Sequence, residues 1–238
     1  MAHLSPAGSL QDRSSALWHL KGFDLFRGLN QAALSRVEAK CQVKRLRRGA
    51  VVYISGEPAE RVFAVGEGMI KLSTLSAEGR EGTLALLGAG EIFGELEVIE
   101  DTARGHLATA AHDSVVLSIP KASFLELMRR QQDFAFQVTV RLGQKVTEFQ
   151  SRISCLLFKG AHSRLSELLL DFGRRYGLKT PEGTRLRYRF SHRDLASLIG
   201  VSRETVSHTL GELRRSGILS TRSGHIVIHR PKELSARV

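Results

Sequence analysis

Near the C-terminal end of this 238-residue sequence, Ser202-Arg203-Glu204-Thr205-Val206-Ser207-His208 gathers six hydrogen-bonding side chains into seven positions. Their types match base-edge recognition. An arginine forks onto guanine O6 and N7, a glutamate accepts from cytosine N4, and a hydroxyl or imidazole can assist nearby or hold a phosphate. These groups read DNA when they occupy the N-terminal end of a helix that enters a major groove.

Residues 190 to 219, FSHRDLASLIGVSRETVSHTLGELRRSGIL, supply the elements that would hold them there. Ser191 caps a first helix with Asp194 answering it, and Leu195, Leu198 and Ile199 face inward at i, i+3, i+4. Ala196 is small where two helices cross. Gly200 provides the positive φ of a tight turn, Ser202 caps a second helix, and Val206, Leu210 and Leu213 bury its inner face. Arg203, Glu204, Ser207 and His208 then lie on the outer face, with Thr205 near the backbone. A helical hairpin with merely solvated charges would not require these features in this order. After Gly217, Thr221 to His225 followed by Ile226, Val227 and Ile228 predicts a β-hairpin wing.

The charge agrees with this placement. The chain carries 35 Lys+Arg against 24 Asp+Glu, a formal +11 and a pI near 10.2. Residues 1–159 hold 20 basic and 17 acidic side chains, whereas residues 160–238 hold 15 and 7. The excess of the last third points to a polyanion, with nucleic acid ahead of a membrane because no basic amphipathic stretch with aromatic anchors accompanies it. No apolar run approaches a membrane span, and Asp12 and Arg13 interrupt any signal peptide, so a cytoplasmic location is expected. Cys41 and Cys155 are too few for an iron-sulfur cluster, and His106, His112 and His162 form no haem pattern. The sequence has no metal-binding H-x-E set, nucleophile elbow or P-loop, and an enzyme is not expected.

Further upstream, residues 1–16 form a loose polar leader, and the stretch from Leu17 to Cys41 predicts two short helices broken at Gly28 and Asn30. Short β-rich runs follow at Val51 to Ile54, Val62 to Val65, Met69 to Leu75, Gly82 to Leu87, Leu107 to Ala111 and Ser114 to Ile119. Regular turns separate them, as in a small antiparallel barrel or jelly roll. A helical stretch after Pro120 ends in Leu142, Val146, Phe149, Ile153 and Leu156, whose steps of 4, 3, 4, 3 form an a/d dimer seam, although one helix packed on its own barrel could show the same spacing. The class is therefore α+β. It comprises a β-barrel domain over 17–130, a dimerisation helix over 131–159 and a winged helix-turn-helix domain over 160–238, with residues 178–189 read as a polar linker.

This order of parts resembles the Crp-Fnr family of bacterial transcription regulators over nearly everything from residue 17 onward. SRETVSH, residues 202 to 208, is similar to that family's recognition helix, and FGELEVIEDTARG, residues 93 to 105, to its phosphate-binding cassette. The resemblance implies a homodimer on double-stranded DNA, which would meet RNA polymerase if it activates. Arg203 and Glu204 would read a half-site similar to TGTGA while Ser202 and Thr205 hold phosphates; His208 stands where the cyclic-AMP-binding member has arginine. In the cassette, the resemblance gives Gly94, Glu95 and Leu96 the ribose and phosphate of a cyclic nucleotide, and Arg104 the phosphate itself. A carboxylate can accept a ribose hydroxyl, a guanidinium can fork onto a phosphate diester, and a glycine admits backbone N–H groups to the anion. Gly105 replaces the usual serine or threonine, and Phe149 and Gln150 replace two adenine-contacting hydroxyl residues. A cyclic nucleotide, another small effector and no ligand all stay open, as does a regulatory protein acting on a protein partner.

Overall fold

A computed structural model describes residues 23–77, 79 and 81–237; the leader and the start of the first expected helix lie outside them. The chain divides into two compact units, up to residue 144 and from 145 onward.

In the first unit, a 3-10 turn at Asp24–Phe26 precedes helix α1 (Gln31–Glu38), whose N-terminus is capped by the Asn30 side chain. Eight strands follow: β1 (Gln42–Leu46), β2 (Val51–Tyr53), β3 (Arg61–Glu67), β4 (Met69–Leu75), β5 (Glu81–Gly88), β6 (Ile92–Phe93), β7 (Leu107–Ala110) and β8 (Ser114–Pro120). They form two antiparallel four-stranded sheets, ordered β1-β8-β3-β6 and β2-β7-β4-β5. The arrangement is a jelly roll of facing sheets rather than a closed barrel. Helix α2 (Glu95–Glu100) lies between β6 and β7.

Strand alternation explains the layering, because successive side chains of a strand leave opposite faces. Phe63 and Val65 of β3 join Tyr53, Ile70, Phe93 and Val116 between the sheets, whereas Val62 and Ala64 face a second core with α1 and the helices after β8. Those helices are α3 (Lys121–Arg130), which begins after Pro120, and the long α4 (Gln132–Phe158). Phe134 anchors α4 with ring centroids 5.6 Å from both Phe26 and Phe124. Each fully buried phenylalanine contributes about 1.5–3 kcal/mol.

In the second unit, α5 (Ala161–Tyr176) buries Leu165, Leu169, Phe172 and Tyr176. Helices α6 (His192–Ile199) and α7 (Arg203–Arg215) pack on it, as does the short α8 (Pro231–Ser235). The linker expected at residues 178–189 is instead largely a hairpin. Strands β9 (Gly177–Thr180) and β10 (Gly183–Leu186) extend the wing strands β11 (Leu219–Arg222) and β12 (His225–Ile228) into one sheet, ordered β11-β12-β10-β9. Thr184 and Leu186 are the inward positions of β10. Two alternating positions among basic and polar neighbours are too few for a period-2 signal to stand out.

Candidate DNA-reading helix and effector cassette

The turn between α6 and α7 forms as its residues predict. Ser191 Oγ accepts from the Asp194 amide at 3.0 Å, and the Asp194 carboxylate answers by accepting from that same hydroxyl. Gly200 ends α6 at φ 65°, and a Cβ there would lie 3.0 Å from Leu156 Cδ2. Ser202 Oγ then caps α7 by accepting from the Thr205 amide at 3.1 Å. Val206, Leu210 and Leu213 are buried beneath the helix.

Of the six DNA-reading candidates, Ser202, Arg203, Glu204 and His208 are exposed. The side chains of Arg203 and Glu204 make no hydrogen bond or ion pair among the described residues, and His208 sits 3.8 Å from Glu212. Thr205 is half-buried, its hydroxyl 2.9 Å from that of Ser202. Ser207 turns inward: its hydroxyl donates to the Arg203 carbonyl at 2.9 Å and lies 2.7 Å from His192 Nδ1. Because the hydroxyl has one proton, His192 Nδ1 is then the donor to Ser207. Burial first, then the charges of Arg214 and Arg203, hold the His192 pKa below its ordinary value. Exposed Arg185, Arg187, Arg189, Arg193, Arg214, Arg215 and Arg222 surround this helix in the sequence of the same unit.

In the first unit, Gly94 opens α2 at φ 72°, and a Cβ there would meet Arg104 Nη1 at 2.5 Å. Arg104 is only 3% exposed. Its Nη1 donates to the Gly94 carbonyl at 2.8 Å and approaches Glu97 Oε2 at 3.5 Å, its Nη2 donates to the Arg61 carbonyl, and its guanidinium carbon lies 4.3 Å from the Tyr53 ring centroid. Its Nε is buried with no hydrogen-bond partner among the described residues. Burial and then the Glu97 charge push the Tyr53 phenol above its ordinary range. Glu95 is buried, whereas Leu96 is exposed. Glu97, Tyr53 and the Arg61 carbonyl were not singled out in the sequence. Tyr53 and the Arg61 carbonyl reach Arg104 from strands far away in the chain, and Glu97 reaches it across the turn after α2; no helix or strand period records either approach.

On α4, Val146, Phe149, Ile153 and Leu156 are 42–57% exposed, while Leu142 is half-buried against the core of the first unit. Gln150 is exposed as well. Phe136, Val140, Leu157 and Phe158 add exposed apolar surface outside the expected seam. Phe136, Val140, Gly143, Thr147, Gln150, Ser154 and Leu157 also repeat at steps of 4 and 3, one position from that seam. Among the described residues, no helix is long and apolar enough to cross a membrane.

A jelly-roll unit followed in the chain by a helix-turn-helix unit is the architecture of a DNA-binding transcription regulator. Residues 43–131 match the cyclic nucleotide-binding domain, and residues 163–237 match the Crp-like helix-turn-helix domain. The chain is 30% identical to the global nitrogen regulator of a Synechocystis strain, covering 81% of this chain and 87% of that protein. It is 29% identical to the cyclic AMP receptor protein of Thermus thermophilus, covering 88% and 94% respectively. The solved structure of FixK2 from Bradyrhizobium japonicum shares the fold at a TM-score of 0.74 and 24% identity, over 83% of this chain and 96% of that one. The chain belongs to the Crp-Fnr family of bacterial transcription regulators.

Proposed function

We propose that the protein is a cytoplasmic, non-enzymatic homodimer that places two α7 helices on a palindromic operator with TGTGA-like half-sites. The supporting observation is that Arg203 and Glu204 stand exposed in the first turn of α7, with side chains unengaged among the described residues and the backbone ahead of them capped by Ser202. Arg203 would fork onto a guanine and Glu204 would accept from a cytosine. Ser202 and Thr205 would meet phosphate, and His208 would face the inner part of the half-site, while Ser207 would brace α7 against His192 rather than touch a base. Two-fold symmetry sets half-sites about one helical turn, roughly 34 Å, apart.

The apolar face of α4 supports self-association, with Val146, Phe149, Ile153 and Leu156 in one register and Phe136, Val140 and Leu157 beside them. Leu142, half-buried against the core of its own unit, would add its remaining surface to the start of that register. A signal at the jelly roll would reach DNA by changing the geometry of α4 and the Gly160 junction, and an activating form would also meet RNA polymerase. Fluorescence anisotropy on a TGTGA palindrome and a scrambled duplex of equal length tests the reading. Selective binding to the palindrome is expected, and equal affinity would refute it.

A further inference from the structure

The buried arginine of the jelly roll is already supplied with an anion by its own chain. Glu97 Oε2 lies 3.5 Å from Arg104 Nη1, and Glu97 Oε1 accepts from the Gly105 amide at 3.4 Å. One carboxylate therefore spans a guanidinium nitrogen and the backbone N–H of the next residue. A phosphate diester entering the cassette would need the same pair of donors, and both atoms of an anion's fork are matched by the two oxygens of Glu97. The Glu97 side chain is 12% exposed and that of Arg104 is 2% exposed, so little water screens the pair.

Charge and shape agree. Glu97 already sets one negative charge against the buried guanidinium, so a ligand phosphate would have to enter beside that carboxylate. Arg104 Nη1 also donates to the Gly94 carbonyl and Nη2 to the Arg61 carbonyl, and the face of the guanidinium is covered by Tyr53. Of its three nitrogens only Nε has no hydrogen-bond partner among the described residues, and a single N–H does not make a bidentate fork. Gly105 has no hydroxyl to add. A cyclic phosphate thus does not fit the residues present unless Glu97 leaves.

We infer that Glu97 is an internal stand-in for a ligand phosphate, which closes the cassette to cyclic nucleotides and other phosphate-bearing effectors. It rests on the reading of this unit as the sensor of a DNA-binding regulator. Replacing Glu97 should convert a self-filled cassette into one that accepts an anion.

The test uses the full chain, as wild type, Glu97→Gly and the volume-conserving Glu97→Gln, with cyclic AMP, inorganic phosphate and adenosine as probes. Wild type is expected to show no thermal shift with any of them. Glu97→Gly is expected to gain a midpoint rise of at least about 3 °C with saturating cyclic AMP, a smaller one with phosphate and none with adenosine. Glu97→Gln, which keeps the volume but lacks the charge, should fall between. Cyclic AMP binding to wild type by calorimetry would overturn the inference without any variant. Folded variants that ignore both cyclic AMP and phosphate would also overturn it, and a gain with adenosine equal to that with cyclic AMP would mean that Glu97 fills space and not an anion position. Operator binding by the same wild-type sample is a separate readout: its loss would remove the regulatory reading and leave the cassette result standing.

Discussion

Arg164 Nη1 donates to the Ile199 carbonyl at 2.7 Å, and Arg152 Nε donates to the neighbouring Leu198 carbonyl at 3.0 Å. These are the last two carbonyls of α6, which have no partner within their own helix and form the negative end of its dipole. The end of α4 and the start of α5 thereby grip the residues immediately before Gly200, where the chain turns toward the DNA-reading helix. Arg152 is buried deeply enough to hold its pKa below the ordinary arginine value. Movement of α4 in the second unit therefore reaches α6 through hydrogen bonds as well as through packing.

Replacing Arg164 with methionine should leave the buried Ile199 carbonyl unpaired and lower stability by about 1–3 kcal/mol. Urea unfolding of the full chain measures this, and an unchanged midpoint would mean that the carbonyl is satisfied in another way.

Arg203→Ala should cost about 1–3 kcal/mol on the specific site and relax preference at one guanine. Binding to every single-base variant of the palindrome provides the check. Equal losses on specific and random duplexes would assign Arg203 to phosphate.

Specific affinity should fall by about 0.9 log units per log of salt for each phosphate neutralised. The slope is read from anisotropy titrations across a salt series, and a flat response would remove the electrostatic contribution assigned to the arginines of the second unit.

Val146→Glu combined with Ile153→Glu should give monomers in sedimentation and abolish operator binding. Phe136→Glu combined with Val140→Glu probes the register one position away. A dimer that survives the first pair and is broken by the second would move the seam to that register, and a dimer that survives both would refute an α4 interface.

His192 gives the second unit a pH dependence. Its folded-state pKa is lowered from 6.5, so the unfolded chain takes up a proton first as pH falls. The stability held by neutral His192 is complete above 6.5 and is lost as pH drops through that value toward the folded pKa. Urea midpoints across this window should decline for wild type and decline less for His192→Gln. Parallel curves would place the effect on another group.

The helix-turn-helix was legible because its determinants are local: Ser191, Gly200 and Ser202 act within three or four residues of themselves, and Leu195, Val206 and Leu210 follow helical spacing. Six strands of the jelly roll were legible from alternation between turns. β1, with Lys44 and Arg45 among its five residues, and the two-residue β6 were not, because basic composition and brevity hide the period. In the cassette, Gly94 and Arg104 could be found by motif, but Tyr53 is brought to Arg104 by long-range strand pairing and Glu97 reaches it across the turn after α2. Leu142 has the spacing of the seam and is also half-buried against the core of its own unit, because 3.5 and 3.6 residues per turn diverge too slowly over this length to separate the two faces.

Helix α4 runs unbroken across the boundary at residue 144, with Phe134 and Val138 buried in the first unit and Arg152 bonded within the second. Each residue of such a helix advances the chain by about 1.5 Å and turns it by about 100°. A one-residue insertion near position 144 would therefore put every downstream side chain out of phase with Phe134 and Val138, while a seven-residue insertion would nearly restore the phase. Selection on this stretch should accordingly tolerate exchanges of side chain far better than changes of length, and permitted length changes should come in heptads.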